Sequence, residues 1–235
     1  MKNKRSLFIV IAMVLLLAVV LGMGGTTFAK YITKDSAPSQ TATVAKWGHT
    51  IDITDGVLFG EKYNVEGNVD EAAGTAIVSS RSSTKVLAPG AKDSLTFTIG
   101  GTSEVMSQFD IAVTGQDISL TKTSDSSVYN PVKWTLRKDG AVVNSLENVT
   151  LAAIVEELNK TSYDAATAAN GTPTVNGTYV ISYEWPFSVD ENTDALDTIL
   201  GDIAAEKTVD GYTAQLNAEF SITISVAQAE PDGNP

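Results

Sequence analysis

An alternation of apolar and polar residues near the C-terminus constrains the fold of this chain more than any other feature. The stretch AQLNAEFSITISVAQ carries an apolar side chain at every second position. Side chains of a β-strand point alternately to the two faces of a sheet, so this period predicts one strand with a single buried face. The apolar positions are Leu216, Ala218, Phe220, Ile222, Ile224 and Val226.

Several earlier segments show the same alternation, and turn-forming residues separate them. The segments are TVAKWGHTIDIT (with a slip of phase near Gly48), SLTFTIGG, FDIAVTG, VKWTLRKDG and TYVISYEWPF. The turn dipeptides are Pro89-Gly90, Gly100-Gly101, Asp139-Gly140, Asn176-Gly177 and Asp210-Gly211. Many short strands joined by glycine turns are typical of an antiparallel sandwich or jelly roll.

Two segments have helical spacing instead. NVTLAAIVEELNKT brings Leu151, Ile154, Val155 and Leu158 to one face, with Asn148 or Thr150 as a possible cap. NTDALDTILGDIAAE does the same with Leu196, Ile199, Leu200 and Ile203. Both lie between strands, so we interpret them as insertions that cover a sheet edge or a barrel mouth, with a surface loop between them. The predicted fold is mainly β, a jelly roll or β-sandwich with two short helical insertions.

The N-terminus has the pattern of a secretory signal peptide. Basic residues at positions 2, 4 and 5 precede an apolar run from Leu7 to Leu21, and the small residues Thr27 and Ala29 follow two apart. This arrangement predicts cleavage after Ala29. A retained anchor is the alternative, since residues 22–28 could lengthen the apolar run towards the length that spans a bilayer.

The signal peptide sets the domain boundaries that we predict. Residues 1–29 are the signal, 30–42 an N-terminal donor-strand segment, 43–227 the β-sandwich domain, and 228–235 a disordered tail. A body of this size can bury its own apolar core, and its length fits one elaborated domain.

Charge and cysteine content narrow the partners and the compartment. The net charge is −12, and three of the 16 basic residues lie in the predicted signal, so the cleaved chain would be more acidic still. Such a surface disfavours nucleic acid and anionic lipid, so we expect no nucleic acid partner and no membrane contact except through the signal. There is no cysteine. The absence of disulfides in an exported chain suits a bacterial protein.

Few residues could carry chemistry, so we predict no enzymatic activity and no cofactor. His49 is the single histidine, and we interpret it as a polar residue on the face of an early strand. Asp190, Asp194 and Asp197 are weak candidates for calcium ligands, but their spacing does not match an EF-hand, and acidic residues near a helix start also favour its dipole. A secreted hydrolase with two carboxylates from distant strands stays a further hypothesis.

Tryptophan placement bears on a second function. Trp47, Trp134 and Trp185 all fall on strand patterns, which favours core packing for at least two of them. An exposed Trp47 or Trp185 beside a groove would instead favour a cell-surface adhesin or carbohydrate-binding module. We keep that module as the alternative function.

The signal junction carries a family resemblance. GMGGTTFAKYITKDS resembles the junction of the TasA/camelysin family of exported biofilm-matrix proteins, which a SipW-type signal peptidase cleaves. The matching positions are Gly24, Gly25, Thr26, Phe28, Ala29, Tyr31 and Asp35. VLAPGAKDSLTFTIGGTSEV is similar to that family's turn and strand, and FSITISVAQ to its last strand. The helical insertions are not obviously shared.

The resemblance implies a secreted jelly-roll subunit of matrix fibres or pili on a Gram-positive cell surface. Its partners would be further copies of itself, joined head-to-tail by donor-strand complementation, together with the SipW-type peptidase. We expect Lys30, Tyr31, Ile32 and Val44 to form the polymerisation segment that cleavage frees. The competing interpretation is a disordered leader. Protease activity described for camelysin-type members is not carried over, because no credible metal-ligand set accompanies it here.

Overall fold

A computed structural model describes residues 43–54, 58–64, 76–160, 166–167 and 171–229. The chain from Ala45 onward forms one compact unit. Within the described ranges, no helix is both long and apolar enough to cross a membrane. The predicted signal peptide lies outside these ranges.

Thirteen strands and two helices occur in the described residues. The strands are β1 (Thr50–Thr54), β2 (Lys62–Asn64), β3 (Ala76–Ser79), β4 (Lys92–Gly100), β5 (Ser107–Gln116), β6 (Ser119–Lys122), β7 (Val128–Tyr129), β8 (Lys133–Lys138), β9 (Ala141–Val142), β10 (Ala166–Thr167), β11 (Gly177–Glu184), β12 (Tyr212–Gln215) and β13 (Glu219–Gln228). The helices are α1 (Leu151–Leu158) and α2 (Glu191–Ala204). The predicted mainly-β fold with two helices is therefore confirmed.

The strands pair antiparallel in four sheets. A five-stranded sheet has the order β1-β4-β11-β8-β9, and two three-stranded sheets have the orders β10-β5-β13 and β12-β6-β7. A hairpin of β2 and β3 is the fourth sheet. These sheets are compatible with the predicted jelly roll, and the jelly roll itself stays a prediction.

The alternating segments place their apolar side chains in one core. Phe97 and Ile99 on β4, and Phe109 and Ile111 on β5, are buried, while their neighbours along each strand are more exposed. On β4, Phe97 lies opposite Tyr179 of β11, and the two rings stack at 4.7 Å between centroids. Such a stacked pair adds about 0.5–1.5 kcal/mol beyond the area that it buries.

Trp134 on β8 joins the five-stranded sheet to the sheet of β5 and β13. Its side chain is fully buried, and its ring lies 5.3 Å from that of Tyr183 and 6.2 Å from that of Phe220 on β13. Its indole nitrogen donates to the carboxylate of Asp117, at 2.8 Å. The two sheets therefore face each other across this indole.

The two helices occur where the spacing predicts them. Helix α1 begins after Thr150, one of the two predicted caps, although the Thr150 side chain makes no capping hydrogen bond. Leu151, Ile154 and Leu158 are buried, and the helix packs on β5 and β8. In α2 only Leu200 of the predicted apolar face is fully buried, while the others are partly buried against the core.

Three details differ from the sequence prediction. The last apolar run forms two strands, because the chain leaves the ladder at residues 216–218, where Leu216 is 39% exposed. Part of the predicted surface loop between the helices forms β10, whose two residues pair with Ser107 and Gln108. At the C-terminal end, β13 reaches Gln228, one residue past the predicted boundary.

Asp117 connects three elements, and its loss should destabilise the fold. Its carboxylate accepts hydrogen bonds from the Trp134 indole and the Ile118 N–H, and the Leu151 N–H at the start of α1 also interacts with it. Because a buried donor that loses a charged acceptor stays unpaired, we expect Asp117→Ala to lower the free energy of unfolding by about 2–3 kcal/mol. Urea titration measures this change. Asp110→Ala, on the exposed face of β5, is the control, and an equal effect of both variants would contradict the role of Asp117.

Candidate functional site

Strand β13 is a long edge strand with an incompletely covered inner face. Along its ten residues it pairs with β5 on one side, and no strand of the described residues pairs with its other side. Ile222 and Ile224 lie opposite Val113 and Ile111 of β5. The two β5 side chains are each 2% exposed, whereas their partners on β13 are only partly buried. The inner side chains of β13, at the edge of the sheet, are therefore less completely covered than those of β5.

Strand β13 also lacks the devices that usually protect a sheet edge. Edge strands are commonly guarded by lysine, proline, a bulge or short length, because unpaired N–H and C=O groups attract another strand. The sequence EFSITISVAQ has no basic residue and no proline, and Glu219 at its start is its only charge. Its register with β5 runs without a bulge. Within the described residues, the outer edge of β13 therefore has none of these protective features.

The opposite edge of the same sheet is closed by other means. β10 pairs with the start of β5, at Ser107 and Gln108. Further along, the Asn159 side chain accepts from the Val113 N–H and donates to the Val113 C=O, both at 2.7 Å. A single amide after helix α1 thus replaces a neighbouring strand at this point.

Gly115 on β5 lies directly against the Leu151 side chain at the start of helix α1. A Cβ on Gly115 would lie 2.7 Å from Leu151 Cδ2. Real Cβ atoms do not approach other atoms so closely, so a larger residue would require the Leu151 side chain to shift.

The other edge strands are shorter or carry charge. β7 and β9 have two residues each. β1 ends the five-stranded sheet with five residues and carries Asp52 at its centre, although Ile53 beside it is 47% exposed. Among the described edges, β13 offers the longest uncharged ladder.

The predicted polymerisation and cleavage residues fall largely outside the described ranges. Ala29, Lys30, Tyr31 and Ile32 lie outside them. Val44 lies inside, and its side chain is 90% exposed. Sequence reasoning identified the segment that could donate a strand but missed the strand that could accept it. The available signal was that EFSITISVAQ carries no charge after Glu219.

The chain joins the body beside an aromatic group around His49. The His49 ring meets the Trp47 and Phe109 rings edge-on, each at 5.0 Å between centroids. Because the Ser107 hydroxyl donates to the Val105 carbonyl, His49 Nε2 donates to Ser107 Oγ, at 2.7 Å. Burial lowers the pKa of His49, and the Gly100 backbone partly offsets this effect. The predicted polar face residue is thus half-buried and ties the segment before β1 to β5.

The backbone makes a close crossing at this aromatic group. Gly101 has φ +88°, and a Cβ there would lie 1.9 Å from the carbonyl oxygen of Gly48. No side chain fits in that space, so glycine is required at position 101. The crossing holds the Trp47 bridge to Ser103 beside the end of β4.

The three weak calcium candidates are all hydrogen-bonded within the chain. Asp190 caps α2 by accepting from Asn192 and Thr193 N–H groups, and these bonds lower its pKa. Asp194 accepts from the Ser188 hydroxyl, at 3.1 Å. In the part of the chain that the structure describes, no group of three or more His, Cys, Asp or Glu residues is placed to hold a metal ion.

Asp197 has a separate role, because it anchors α2 to two aromatic side chains. Its carboxylate accepts from the Tyr129 hydroxyl, at 2.8 Å, and from the Trp185 indole, at 3.1 Å. Burial raises the pKa of Asp197, and the hydrogen bonds from Trp185 and Tyr129 partly offset this rise. Burial also raises the pKa of Tyr129.

The tryptophans divide as the core-packing interpretation predicts. Trp134 and Trp185 are buried, while Trp47 is 46% exposed. Two clefts of the described body are lined by residues other than tryptophan. One of about 320 Å³ lies between the Lys85–Leu87 segment and residues 216–218, and another of about 380 Å³ lies beside Tyr129 and Tyr212.

No family model matches this chain, and no curated protein or solved structure matches it. The resemblance of the signal junction to the TasA/camelysin family stays a prediction.

Asp197 makes stability depend on pH. A carboxyl whose pKa is raised by folding adds stability below the ordinary carboxyl pKa of 3.8, and that contribution is lost as the pH rises through the raised pKa. Asn can accept from Trp185 and donate to the Tyr129 oxygen without a charge. We therefore expect Asp197→Asn to gain in unfolding free energy relative to the native chain as the pH rises from about 4 to 7.

Urea midpoints measured across this range test the prediction. Asp52→Asn, which removes an exposed carboxylate from β1, is the control for net charge. A difference between Asp197→Asn and the native chain that does not change with pH would contradict it.

Proposed function

We propose that this protein is a secreted structural subunit that polymerises head-to-tail, each copy adding its N-terminal segment to β13 of the next. The observation that supports this most directly is the open, uncharged edge of β13 beside partly buried core side chains. A strand added there would bond to the backbone groups of β13 that no described strand pairs with, and it would cover Ile222 and Ile224. Since donor and acceptor are different surfaces, the contact repeats without closing and produces a filament.

The segment freed by cleavage has a suitable length. Lys30 to Ala37 are eight residues, and Pro38, which follows them, has no N–H to donate to β13. Eight residues in a strand span about 27 Å, close to the roughly 33 Å of the ten-residue β13. One donor segment can therefore cover most of the edge.

Tyr31 and Ile32 are adjacent in the donor strand, so their side chains lie on opposite faces of the sheet. Neighbouring side chains of a strand point to opposite faces of the sheet, so Tyr31 and Ile32 cannot both face the core. One of them covers the inner side chains of β13, and the other lies on the outer face with Thr223 and Ser225. Single substitutions at the two positions should therefore have unequal effects on assembly.

Processing would control assembly. Before cleavage after Ala29, the apolar signal keeps Lys30 joined to the membrane, so the segment cannot enter a neighbouring sheet. A SipW-type peptidase would release it outside the cell. This places assembly at the cell surface and in the extracellular matrix.

Deleting residues 30–42 should abolish filaments and leave a folded monomer. The body from Ala45 has its own core, so circular dichroism should show unchanged β content. Electron microscopy of the secreted native chain should show filaments. Monomers of the native chain at every concentration would refute the proposal.

A peptide with the sequence of residues 30–43 should then bind the deleted chain. Hydrogen exchange should slow in β13, because the added strand takes up its free backbone groups. A scrambled peptide of the same composition is the control. Slower exchange in β1 alone would show that the five-stranded sheet accepts the strand. If the native peptide slows exchange in no strand, strand addition is refuted.

A further inference from the structure

Two exposed apolar surfaces lie at opposite ends of β4. At one end, which we call the Trp47 end, Trp47 is 46% and Met106 39% exposed. At the other, which we call the Phe187 end, Phe187 is 73% and Ile77 39% exposed. The latter two are neighbours, since both lie within 3.3 Å of the position that a Cβ of Gly90 would take.

Hydrogen bonds fix the placement of these surfaces. Beyond the end of β4, Trp47 bridges to Ser103. Before its start, the Gly90 N–H donates to the Trp185 carbonyl, which puts the Phe187 loop beside Lys92. The nine residues of β4 separate the two ends by about 30 Å.

Strand β13 runs between the same two ends. Its last residue, Gln228, pairs with Ser107, which His49 contacts at the Trp47 end. Its first residue, Glu219, pairs with Gln116. Asp117, the residue after Gln116, accepts a hydrogen bond from Trp134. Trp134 pairs with Tyr183, which lies beside Asp93 near the start of β4. Strand β13 therefore runs from the Phe187 end towards the Trp47 end.

This direction determines where a donor copy would lie. Every pairing among the described strands is antiparallel, and an antiparallel donor would run from the Trp47 end of the acceptor to its Phe187 end. The donor chain would leave the groove at the Phe187 end after Ala37. Seven residues, 38–44, then reach at most about 25 Å to the body of the donor. That body begins at its own Trp47 end.

We propose that the Trp47 end of each copy packs against the Phe187 end of the next copy, with the donor strand antiparallel to β13. This inference rests on the proposed function and adds the subunit interface to it. The contact covers Phe187 and Ile77 of one copy with Trp47 and Met106 of its neighbour. Burial of exposed aromatic side chains is a common source of interface energy.

The acceptor end has a cleft that extends this surface. It has a volume of about 320 Å³, and its lining combines apolar side chains, among them Phe59, Leu87 and Ile118, with the polar Lys85 and Asn217. Lys85–Leu87 on its wall leads directly into the Pro89-Gly90 turn that Ile77 and Phe187 cover. The cleft lies beside the start of β13, where the antiparallel donor leaves the groove.

Engineered cysteines test the contact cleanly, because the chain has none of its own. Lys46 and Ser188 are exposed and adjoin Trp47 and Phe187. The full chain is secreted with its signal and a SipW-type peptidase, and assembled filaments are oxidised. We expect Lys46→Cys/Ser188→Cys to form a ladder of covalent oligomers, and a mixture of the two single variants to stop at dimers.

The single variants decide the direction of the donor. Neither Lys46→Cys nor Ser188→Cys alone should form dimers. Dimers of Lys46→Cys alone indicate a parallel donor, which would bring the neighbouring body to the Trp47 end, and would overturn the inference. Filaments without any cross-link would overturn the interface but leave strand addition intact. If the native chain forms no filaments, the proposed function itself is contradicted.

A second variant measures the energy of the contact. Phe187→Ala should raise the critical concentration for filament growth by about tenfold or more, because the ring is 73% exposed in the single copy and buried in the filament. Val128→Ala, on β7 and 55% exposed, is the control. Equal critical concentrations for the two variants, with unchanged unfolding midpoints, would overturn the role of Phe187.

Discussion

The hydrogen-bonding requirement of the sheet edges organises this structure. A peptide group at an edge needs a partner, whether a strand, a side chain or water. β5 has partners on both sides, since β13 follows one edge while β10 and the Asn159 amide serve the other. β13 has a strand partner on one side only within the described residues. Because of this asymmetry, the inner side chains at the β13 edge are only partly buried.

The body holds together without help at that edge. Trp134 packs against Tyr183 and Phe220, and Asp117 binds its indole nitrogen, so the two facing sheets are joined through a fully buried side chain. The open edge can therefore coexist with a stable monomer. In the proposed assembly, the free energy from covering β13 goes into association between copies and not into folding.

Several aspartates of the described residues stabilise the local structure through hydrogen bonds. Asp117 and Asp197 each accept an indole N–H and a second donor, and Asp190 caps α2. Asp190 and Asp197, two of the aspartates near α2, thus have partners within the chain. The indole donors to Asp117 and Asp197 lie 17 and 12 residues away in sequence. Spacing alone could suggest calcium, because it does not reveal which N–H and O–H groups will face a carboxylate.

Strand and helix formation were predictable to a large extent, because periodicity reports local burial. The alternation around Phe97, Phe109 and Trp134 and the helical spacing around Ile154 reflect which face meets the core. The break of the last run at residues 216–218 was not predictable from period two, since it depends on how the chain moves from the β6 ladder to the β5 ladder.

The sequence by itself determined a mainly β body with two helices, an acidic surface without cysteine, and an N-terminal segment with the pattern of a processed signal. Only the tertiary structure decided that β13 is an edge, that Asn159 closes the opposite one, and that Trp47 and Phe187 lie at opposite ends. The reason is physical. Edge position and the separation of surfaces arise from pairing between distant segments, and a local pattern of residues carries no information about its partners.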